Sequence, residues 1–338
     1  MNGRGQKQIA AGIESAPIPR VAPVVVIPEP VSDAGWTYDV ERSILESRGV
    51  TLVVAASEAE ARAALPEADI IFTSSRVSAA DIATLRKCVG ILCYSVGTDM
   101  VDGKAAAAAG IPIWNCPTSN LEEVSDFAIL LILAAQRRLL TFAHAGADGA
   151  WDVFEWPEWR EVRRMRGRTV GIVGAGRIGQ LVAQKLHGFH ASTIAFDPFV
   201  ESTPDPLLEL VSLDELAARS DIIVSCAALT DTSRGMFGCE LFGRARPGLI
   251  FVNVSRGGLV DEDALVEALD SGQVAYAALD VRGTEPPDPT RDQLAGRPNV
   301  LLTPHVAGPS IESFRDLHIE AGTRILALLE QAGRLPAP

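Results

Sequence analysis

Val170-Gly171-Ile172-Val173-Gly174-Ala175-Gly176-Arg177-Ile178-Gly179 is the stretch from which the rest of this 338-residue chain can be read. The apolar run Thr169 to Val173 predicts a buried strand, the glycines a turn, and Gln180 to Leu186 a helix. A glycine-rich turn between strand and helix is a phosphate-holding device. Gly174 permits the tight turn, Gly176 lets a pyrophosphate approach the backbone, and Gly179 lets the helix pack close to the strand. The open N–H groups and dipole of the helix start, at Gly176, Arg177 and Ile178, then hold the phosphates. The next strand, Ser192 to Phe196, ends in Asp197, 18 residues after Gly179. A carboxylate there accepts both ribose hydroxyls of an adenosine. It also repels a 2′-phosphate, and Pro198-Phe199 offers no arginine to receive one, so the cofactor expected is NAD.

Working outward, the same alternation of short β-rich runs and helical runs fills the chain. Before the turn, Val21 to Ile27, Thr51 to Val54, Asp69 to Thr73, Gly90 to Val96 and Ile111 to Trp114 predict strands. Tyr38 to Ser47, Ser57 to Ala64, Ser78 to Lys87 and Lys104 to Ala109 predict the helices between them. After it come strands at Asp221 to Cys226, Leu249 to Val254, Ala275 to Val281 and Val300 to Leu302. Helices are expected at Leu213 to Arg219, Cys239 to Phe242 and Asp261 to Ser271, with an amphipathic one at Ser310 to Gln331. Strands joined by helices of this length imply parallel sheets with right-handed crossovers. Leu121 to Leu140 reads as one long helix, capped at Ser119 or Asn120 and too apolar for a surface position. Residues 1–20, rich in Gly, Gln, Ala and Pro, read as a disordered tail, and Leu335 to Pro338 as a frayed end. Trp151, Trp156 and Trp159 lie in nine residues and read as anchors on the body or on a partner subunit.

Composition narrows the classes. Hydrophobic residues make up 47% and charged residues 22%, as in a globular protein of about two domains. A net charge of −13 argues against a nucleic-acid surface, which needs a basic patch. The most apolar segment, Phe127 to Ala135, is too short to span a bilayer, and the start of the chain lacks a signal-peptide core. Five cysteines (Cys88, Cys93, Cys116, Cys226, Cys239) show no metal-ligand spacing and read as buried reduced thiols, so no metal and a cytoplasmic setting are expected. His144, His187, His190 and His318 lack a catalytic setting and read as structural or exposed.

Three polar signatures stand at the ends of the late strands, where open α/β sheets bind ligands. They are Asn253-Val254-Ser255-Arg256-Gly257-Gly258-Leu259-Val260-Asp261, Leu279-Asp280-Val281-Arg282-Gly283-Thr284-Glu285-Pro286 and Thr303-Pro304-His305-Val306-Ala307-Gly308. In order behind the dinucleotide turn, they resemble the D-2-hydroxyacid dehydrogenase family motifs N-x-(S/A)-R-G-G-x-V-D, L-D-V-x-x-x-E-P and T-P-H-x-A. The resemblance covers nearly all of the chain after the tail. It implies an α/β fold of two doubly wound parallel-sheet domains: a Rossmann cofactor domain, 119–306, and a smaller flavodoxin-like substrate domain, 21–118, completed by 307–338. It implies a site in the cleft between them, a small 2-oxo or 2-hydroxy acid substrate, and a homodimer.

The resemblance also assigns roles. Arg256 matches the arginine that binds the substrate carboxylate and polarises the carbonyl, His305 the general acid/base, and Glu285 the carboxylate paired with it. The residue types suit those tasks. A histidine exchanges protons near neutrality, a carboxylate beside an imidazole favours its charged form, and a guanidinium grips a carboxylate in bidentate fashion. Ser95-Val96-Gly97-Thr98-Asp99 resembles the turn whose backbone N–H groups, at Val96 and Gly97, hold the substrate carboxylate. Cys226-Ala227-Ala228-Leu229-Thr230-Asp231-Thr232 resembles the loop over the adenosine, with Ala228 where many members have proline. Cys226, Ala227, Thr232, Val254, Ser255, Arg256, Asp280, His305 and Gly308 therefore join Gly174, Gly176, Arg177, Ile178, Gly179 and Asp197 as expected cofactor contacts.

Departures matter as well. Val124-Ser125-Asp126-Phe127 stands where many members carry V-A-E-H and looks more like the branch of the C-terminal-binding-protein corepressors. An NADH-sensing binding protein is therefore the rival reading, although Gly308 stands where those proteins have tryptophan. Formate dehydrogenases, a second rival, have glutamine where Glu285 stands. Family members acting on phosphorylated substrates tend to place arginine or lysine in the loop after the third strand. Here that loop is Phe72-Thr73-Ser74-Ser75-Arg76-Val77, with one cation that reads as a cap on the next helix. An unphosphorylated 2-oxo acid is the expected substrate.

Overall fold

The computed structural model describes residues 22–29, 37–152 and 157–336. The expected tail, Val21, Trp156 and the last two residues lie outside them. Two parallel sheets carry the architecture. The smaller contains β1 (Val24–Ile27), β2 (Thr51–Val54), β3 (Ile70–Thr73), β4 (Gly90–Cys93) and β5 (Ile113–Asn115), in the order β2-β1-β3-β4-β5. Val24 pairs with Thr51, and Val25 with both Leu52 and Ile70. The larger contains β6 (Thr169–Val173), β7 (Ser192–Phe196), β8 (Leu208–Leu210), β9 (Ile222–Ser225), β10 (Leu249–Asn253), β11 (Val274–Leu279) and β12 (Val300–Leu302). Its order is β12-β11-β10-β9-β6-β7-β8, parallel throughout. The strand order therefore reverses between β6 and β9, which opens a crevice at their C-terminal ends.

The helices are α1 (Asp39–Glu46), α2 (Glu58–Ala64), α3 (Ala79–Ile82), α4 (Gly103–Ala108), α5 (Leu121–Gln136), α6 (Leu139–Ala147), α7 (Arg177–His187), α8 (Leu213–Arg219), α9 (Cys239–Arg244), α10 (Glu262–Asp270) and α11 (Ile311–Gln331). The chain forms two compact units. One comprises residues up to Leu92, Lys104–Pro112 and the chain from Gly322 onward; the other comprises Cys93–Gly103 and Ile113–Ala321.

The second unit shows why fully apolar strands are needed. Alternate residues of one strand feed two cores, as the pleat requires. Val170, Ile172, Val224, Val252 and Tyr276 face Ile129 and Ile132 of α5 and Val182 and Leu186 of α7. Val173, Ile223, Phe251 and Leu279 face Leu216 of α8, Phe242 of α9 and Leu265 of α10. Phe251 lies between Phe237 and Phe242, at centroid distances of 4.9 and 5.5 Å. Gly171 is demanded by packing, because a Cβ there would fall 2.2 Å from Ser220 Oγ.

Several expectations need correction. The single helix expected over Leu121 to Leu140 is broken: α5 ends at Gln136 and α6 begins at Leu139. Arg138 takes a left-handed backbone, φ 52°, at the break. Its nearly buried guanidinium donates to Ala275 O and Glu161 and lies 4.8 Å from the centre of the Tyr276 ring. Those contacts offset the cost of the backbone, about 1 kcal/mol for a non-glycine residue there. Asn120 stands at the start of α5 but its side chain does not cap it. The helix expected over Ser78 to Lys87 is only the four residues of α3, capped by Ser78 and Asp81 rather than by Arg76. The strand expected to run to Val96 stops at Cys93, since Ser95 Oγ donates to Gly97 O and bends the chain. β8 was not anticipated; Leu-Glu-Leu behind two prolines is too short to stand out. Trp151 is 88% exposed and anchors nothing on the body. Among the described residues no single helix is long and apolar enough to cross a membrane, and α5 and α6 together bend by 68°.

Candidate active site

The turn after β6 is built by its glycines. Gly174 has φ +100°, and a Cβ on it would lie 2.7 Å from Ala227 N at the end of β9. A Cβ on Gly179 would lie 2.0 Å from Gly174 O, so the first turn of α7 rests directly on the loop. At Gly176, by contrast, nothing stands within 4 Å of the Cβ position. Gly176 caps α7 without a side-chain bond, leaving the first N–H groups of an 11-residue helix facing that space. Asp197 holds the turn from the next strand: Oδ2 accepts from Ala175 N at 3.0 Å and Oδ1 from Phe199 N at 2.9 Å. Each oxygen keeps a lone pair for a ribose hydroxyl. The residues present therefore fit a dinucleotide: open helix N–H groups for the pyrophosphate, and a carboxylate one strand away.

The other expected contacts stand around the same crevice or near the ends of β9 to β12. Burial pushes the Cys226 thiol up to about 12, so it stays neutral. Thr232 is exposed, with its hydroxyl 3.0 Å from that of Thr230. Ser225 and Ser255 link the ends of β9 and β10 through their hydroxyls at 2.6 Å, and Val254 between them is buried. A Cβ on Gly308 would crowd Asn120 Nδ2 at 2.7 Å.

Arg256 leaves the end of β10 on a turn made by Asn253, which is fully buried. The Asn253 side chain donates to Arg256 O at 3.0 Å and accepts from Ser255 N at 3.0 Å and Ser255 Oγ at 2.9 Å. The guanidinium donates from Nε to Asp99 Oδ1 at 3.0 Å and from Nη1 to Ser255 O at 2.8 Å. It packs directly against Gly97: a Cβ there would be 1.9 Å from Nη2. The Val96–Gly97 turn has its carbonyls occupied, Val96 O by Asn115 Nδ2 and Gly97 O by Ser95 Oγ, both at 2.6 Å. Arg256, Val96 and Gly97 are thus brought together. Asp99 and Asn253 were quoted only as members of motifs; a short polar side chain buried at a strand end was the available signal for Asn253.

His305 and Glu285 also meet. Nδ1 of the imidazole lies 2.7 Å from Glu285 Oε2, so Nε2 is the ring nitrogen that this pairing leaves available. His305 has φ 54°, a strained conformation for this residue. Asp280, 1% exposed, imposes it. Its carbonyl accepts from His305 N at 2.8 Å. Its carboxylate accepts from Thr303 Oγ1 at 2.6 Å and from the Val306 and Ala307 N–H groups, each at 2.9 Å. The structure thus gives Asp280, expected as a cofactor contact, a set of partners in the loop that follows β12. The other histidines behave as expected: His144 and His190 are exposed, His187 bonds Thr193, and His318 bonds the Tyr94 hydroxyl. Among the described residues no cluster of His, Cys, Asp or Glu is arranged to hold a metal. A cavity of about 590 Å³ opens at the opposite ends of these strands, but of its guanidinium groups, Arg138, Arg168 and Arg246 are paired with Glu161 and Asp221, and Arg163 donates to Arg160 O and Val162 O.

Comparison with known proteins agrees with this layout. Residues 129–307 match the family "D-isomer specific 2-hydroxyacid dehydrogenase, NAD binding domain". The chain is 39% identical over 256 residues to D-3-phosphoglycerate dehydrogenase of Mycobacterium bovis, covering 74% of this chain and 47% of that protein. The chain thus spans about half the length of the first curated relatives it matches. It is 34% identical over 264 residues to hydroxypyruvate reductase of Thermotoga maritima, covering 77% of this chain and 85% of the relative. The crystal structure of a glyoxylate reductase from Paecilomyes thermophila superimposes with a TM-score of 0.80 at 25% identity, over 92% of this chain and 96% of that one. The chain belongs to the D-isomer specific 2-hydroxyacid dehydrogenase family.

Proposed function

We propose that the protein is an NAD-dependent oxidoreductase that interconverts a small, unphosphorylated D-2-hydroxy acid and its 2-oxo acid. The observation that carries this reading is the pair of clusters described above: a guanidinium lying on an open backbone turn, and an imidazole whose Nδ1 is held by a carboxylate. In this reading residues 119–306 serve the cofactor, and residues 21–118 with 307–338 the substrate.

NAD(H), when bound, supplies or accepts the hydride. The chain's residues do the rest. Arg256 binds the substrate carboxylate together with the Val96 and Gly97 N–H groups, and its charge draws electron density from the neighbouring carbonyl. His305 donates the Nε2 proton to the carbonyl oxygen in reduction and removes the hydroxyl proton in oxidation. Glu285 keeps the ring oriented through Nδ1 and stabilises the imidazolium. The preference for an unphosphorylated substrate is supported by the loop Phe72–Val77. Arg76 is its one cation, and Thr73 and Ser74 hold the Glu29 carboxylate against it. A dianionic phosphate leaving water beside a carboxylate is poorly compensated.

The test is competition in NADH oxidation. We expect kcat/KM for hydroxypyruvate, glyoxylate or pyruvate to exceed that for phosphohydroxypyruvate by tenfold or more. A preference for the phosphorylated acid overturns the substrate assignment. Tight NADH binding with no turnover across the panel overturns the enzymatic reading in favour of a binding protein.

A further inference from the structure

Behind Glu285 lies a cluster of half-buried charges that the reaction as proposed does not use. The Arg282 side chain is 9% exposed and two carboxylates grip it on two edges. Nε and Nη2 donate to Glu262 Oε1 and Oε2, each at 3.0 Å, while Nη1 and Nη2 donate to Asp292 Oδ2 and Oδ1 at 2.9 and 2.8 Å. Glu262 opens α10, and Asp292, 4% exposed, also accepts from Leu294 N and Ala295 N. The Arg282 hydrogen bonds hold the Asp292 carboxyl down to about 2. Burial works to raise the Glu262 carboxyl, but its bonds to Arg282 and Gly283 N outweigh that and lower it. The three groups therefore stay charged across any assay range.

Such an ion cluster is a poor source of net stability, since apolar residues of equal volume often serve as well. What it supplies here is a fixed position for one turn, and three contacts radiate from that turn. Arg282 N donates to Glu285 Oε1 at 2.8 Å, the oxygen not used by His305. Gly283 N donates to Glu262 Oε1 at 2.8 Å. A Cβ on Gly257, the residue after Arg256, would lie 1.8 Å from the Arg282 carbonyl carbon, so the Arg256–Gly257 turn is seated on the same backbone. The loop that follows has little means of fixing itself, because Pro286, Pro287 and Pro289 have no N–H to donate.

We propose that Arg282 is a positioning residue: its guanidinium, held by Glu262 and Asp292, fixes the turn that aims Glu285 at His305 and seats Arg256. This rests on the roles proposed above for those three residues. The position is one that the motif L-D-V-x-x-x-E-P leaves open. A lysine has no second edge with which to hold two carboxylates, so the task is specific to arginine.

The experiment is a mutant cycle in the full chain, read in 2-oxo acid reduction. Arg282→Met is expected to lower kcat about tenfold and raise the oxo-acid KM severalfold, with the NADH Kd unchanged, as for a modest misplacement of catalytic groups. Its pH–rate profile should match that of Glu285→Gln rather than that of wild type, because both variants disturb the carboxylate bonded to the imidazole. Glu285 is the carboxylate bonded to the imidazole, and Asp280 and Arg282 are the other charged residues between the end of β11 and Glu285. In the Glu285→Gln background, Arg282→Met should lower kcat by clearly less than the tenfold seen in wild type, because only its seating of Arg256 is then left to lose. Arg282→Lys should fail to restore the wild-type profile. Should Arg282→Met not fold, Glu262→Gln, which keeps an acceptor for Gly283 N, carries the same prediction at a smaller size. Multiplicative effects of Arg282→Met and Glu285→Gln, or a wild-type profile in Arg282→Met beside an impaired Glu285→Gln, overturn the role of Arg282 alone. A Glu285→Gln variant that matches wild type overturns the catalytic pair, and the positioning role falls with it.

Discussion

Gly97→Ala probes the carboxylate site with a single methyl group. Gly97 does not use a left-handed backbone, so alanine meets no conformational penalty and the test is steric. The new Cβ would lie 1.9 Å from Arg256 Nη2, 2.6 Å from Asp99 Oδ1 and 2.9 Å from Arg256 Cζ. To reach an ordinary contact distance the guanidinium must retreat by about 1.5 Å. That displacement breaks the alignment of Nη2 with a carboxylate held on the Val96–Gly97 turn. A charge-assisted hydrogen bond lost there is worth about 2 kcal/mol, or roughly a 30-fold rise in KM for the oxo acid. Because the same guanidinium is proposed to polarise the carbonyl, kcat is expected to fall too, and kcat/KM should drop by about 100-fold. The assay is steady-state NADH oxidation, with NADH Kd and Tm measured on the same preparation to show that cofactor site and fold are intact. A variant whose kcat/KM stays within threefold of wild type refutes the placement of Arg256 over Gly97 as the carboxylate site.

Other substitutions test neighbouring parts of the account. Asp280→Ala removes acceptors for Thr303, Val306 and Ala307 and releases the strained His305 backbone; we expect a lower Tm and at least a tenfold loss in kcat, measured by thermal melting and turnover. Asp197 predicts higher kcat/KM with NADH than with NADPH, and Asp197→Ser should narrow the ratio; equal use of both cofactors by wild type contradicts its role. Acid stability follows from Asp292, whose carboxyl is lowered from 3.8 to about 2 by Arg282. A lowered folded value gives stability that is present above the unfolded value and lost as pH falls through the folded one. About 2 kcal/mol should therefore disappear between roughly pH 4 and 2. Asp292→Asn should flatten that part of the denaturation curve, and a curve parallel to wild type removes Asp292 from the account.

Which parts were legible in the sequence depended on how local their causes are. The turn at Gly174–Gly179 was readable because its causes are local: Gly174 takes a left-handed backbone at φ +100°, and Gly179 packs on Gly174 O five residues back. Apart from the short β8, the strands of the larger sheet were readable because burial on both faces leaves apolar runs. The break at Arg138 was not, because its cause is tertiary: a guanidinium captured by Ala275 O and Glu161. For the same reason, the motifs drew attention to Arg256, Glu285 and His305 but not to what holds them. Asp99 stands 157 residues from Arg256, and Asp280 meets His305 through backbone bonds that spacing does not reveal. Arg282, in a position the motif leaves open, carries no signal until Glu262 and Asp292 are seen on either side of it.

The central claim is that His305 moves the proton in 2-oxo acid reduction. The direct measurement is single-turnover oxidation of enzyme-bound NADH by hydroxypyruvate or glyoxylate in wild type and His305→Ala, with NADH Kd determined in parallel. The account predicts a rate at least 100-fold lower in His305→Ala, at the upper range of general acid–base catalysis, and an NADH Kd within twofold of wild type. A His305→Ala enzyme that turns over at the wild-type rate contradicts it.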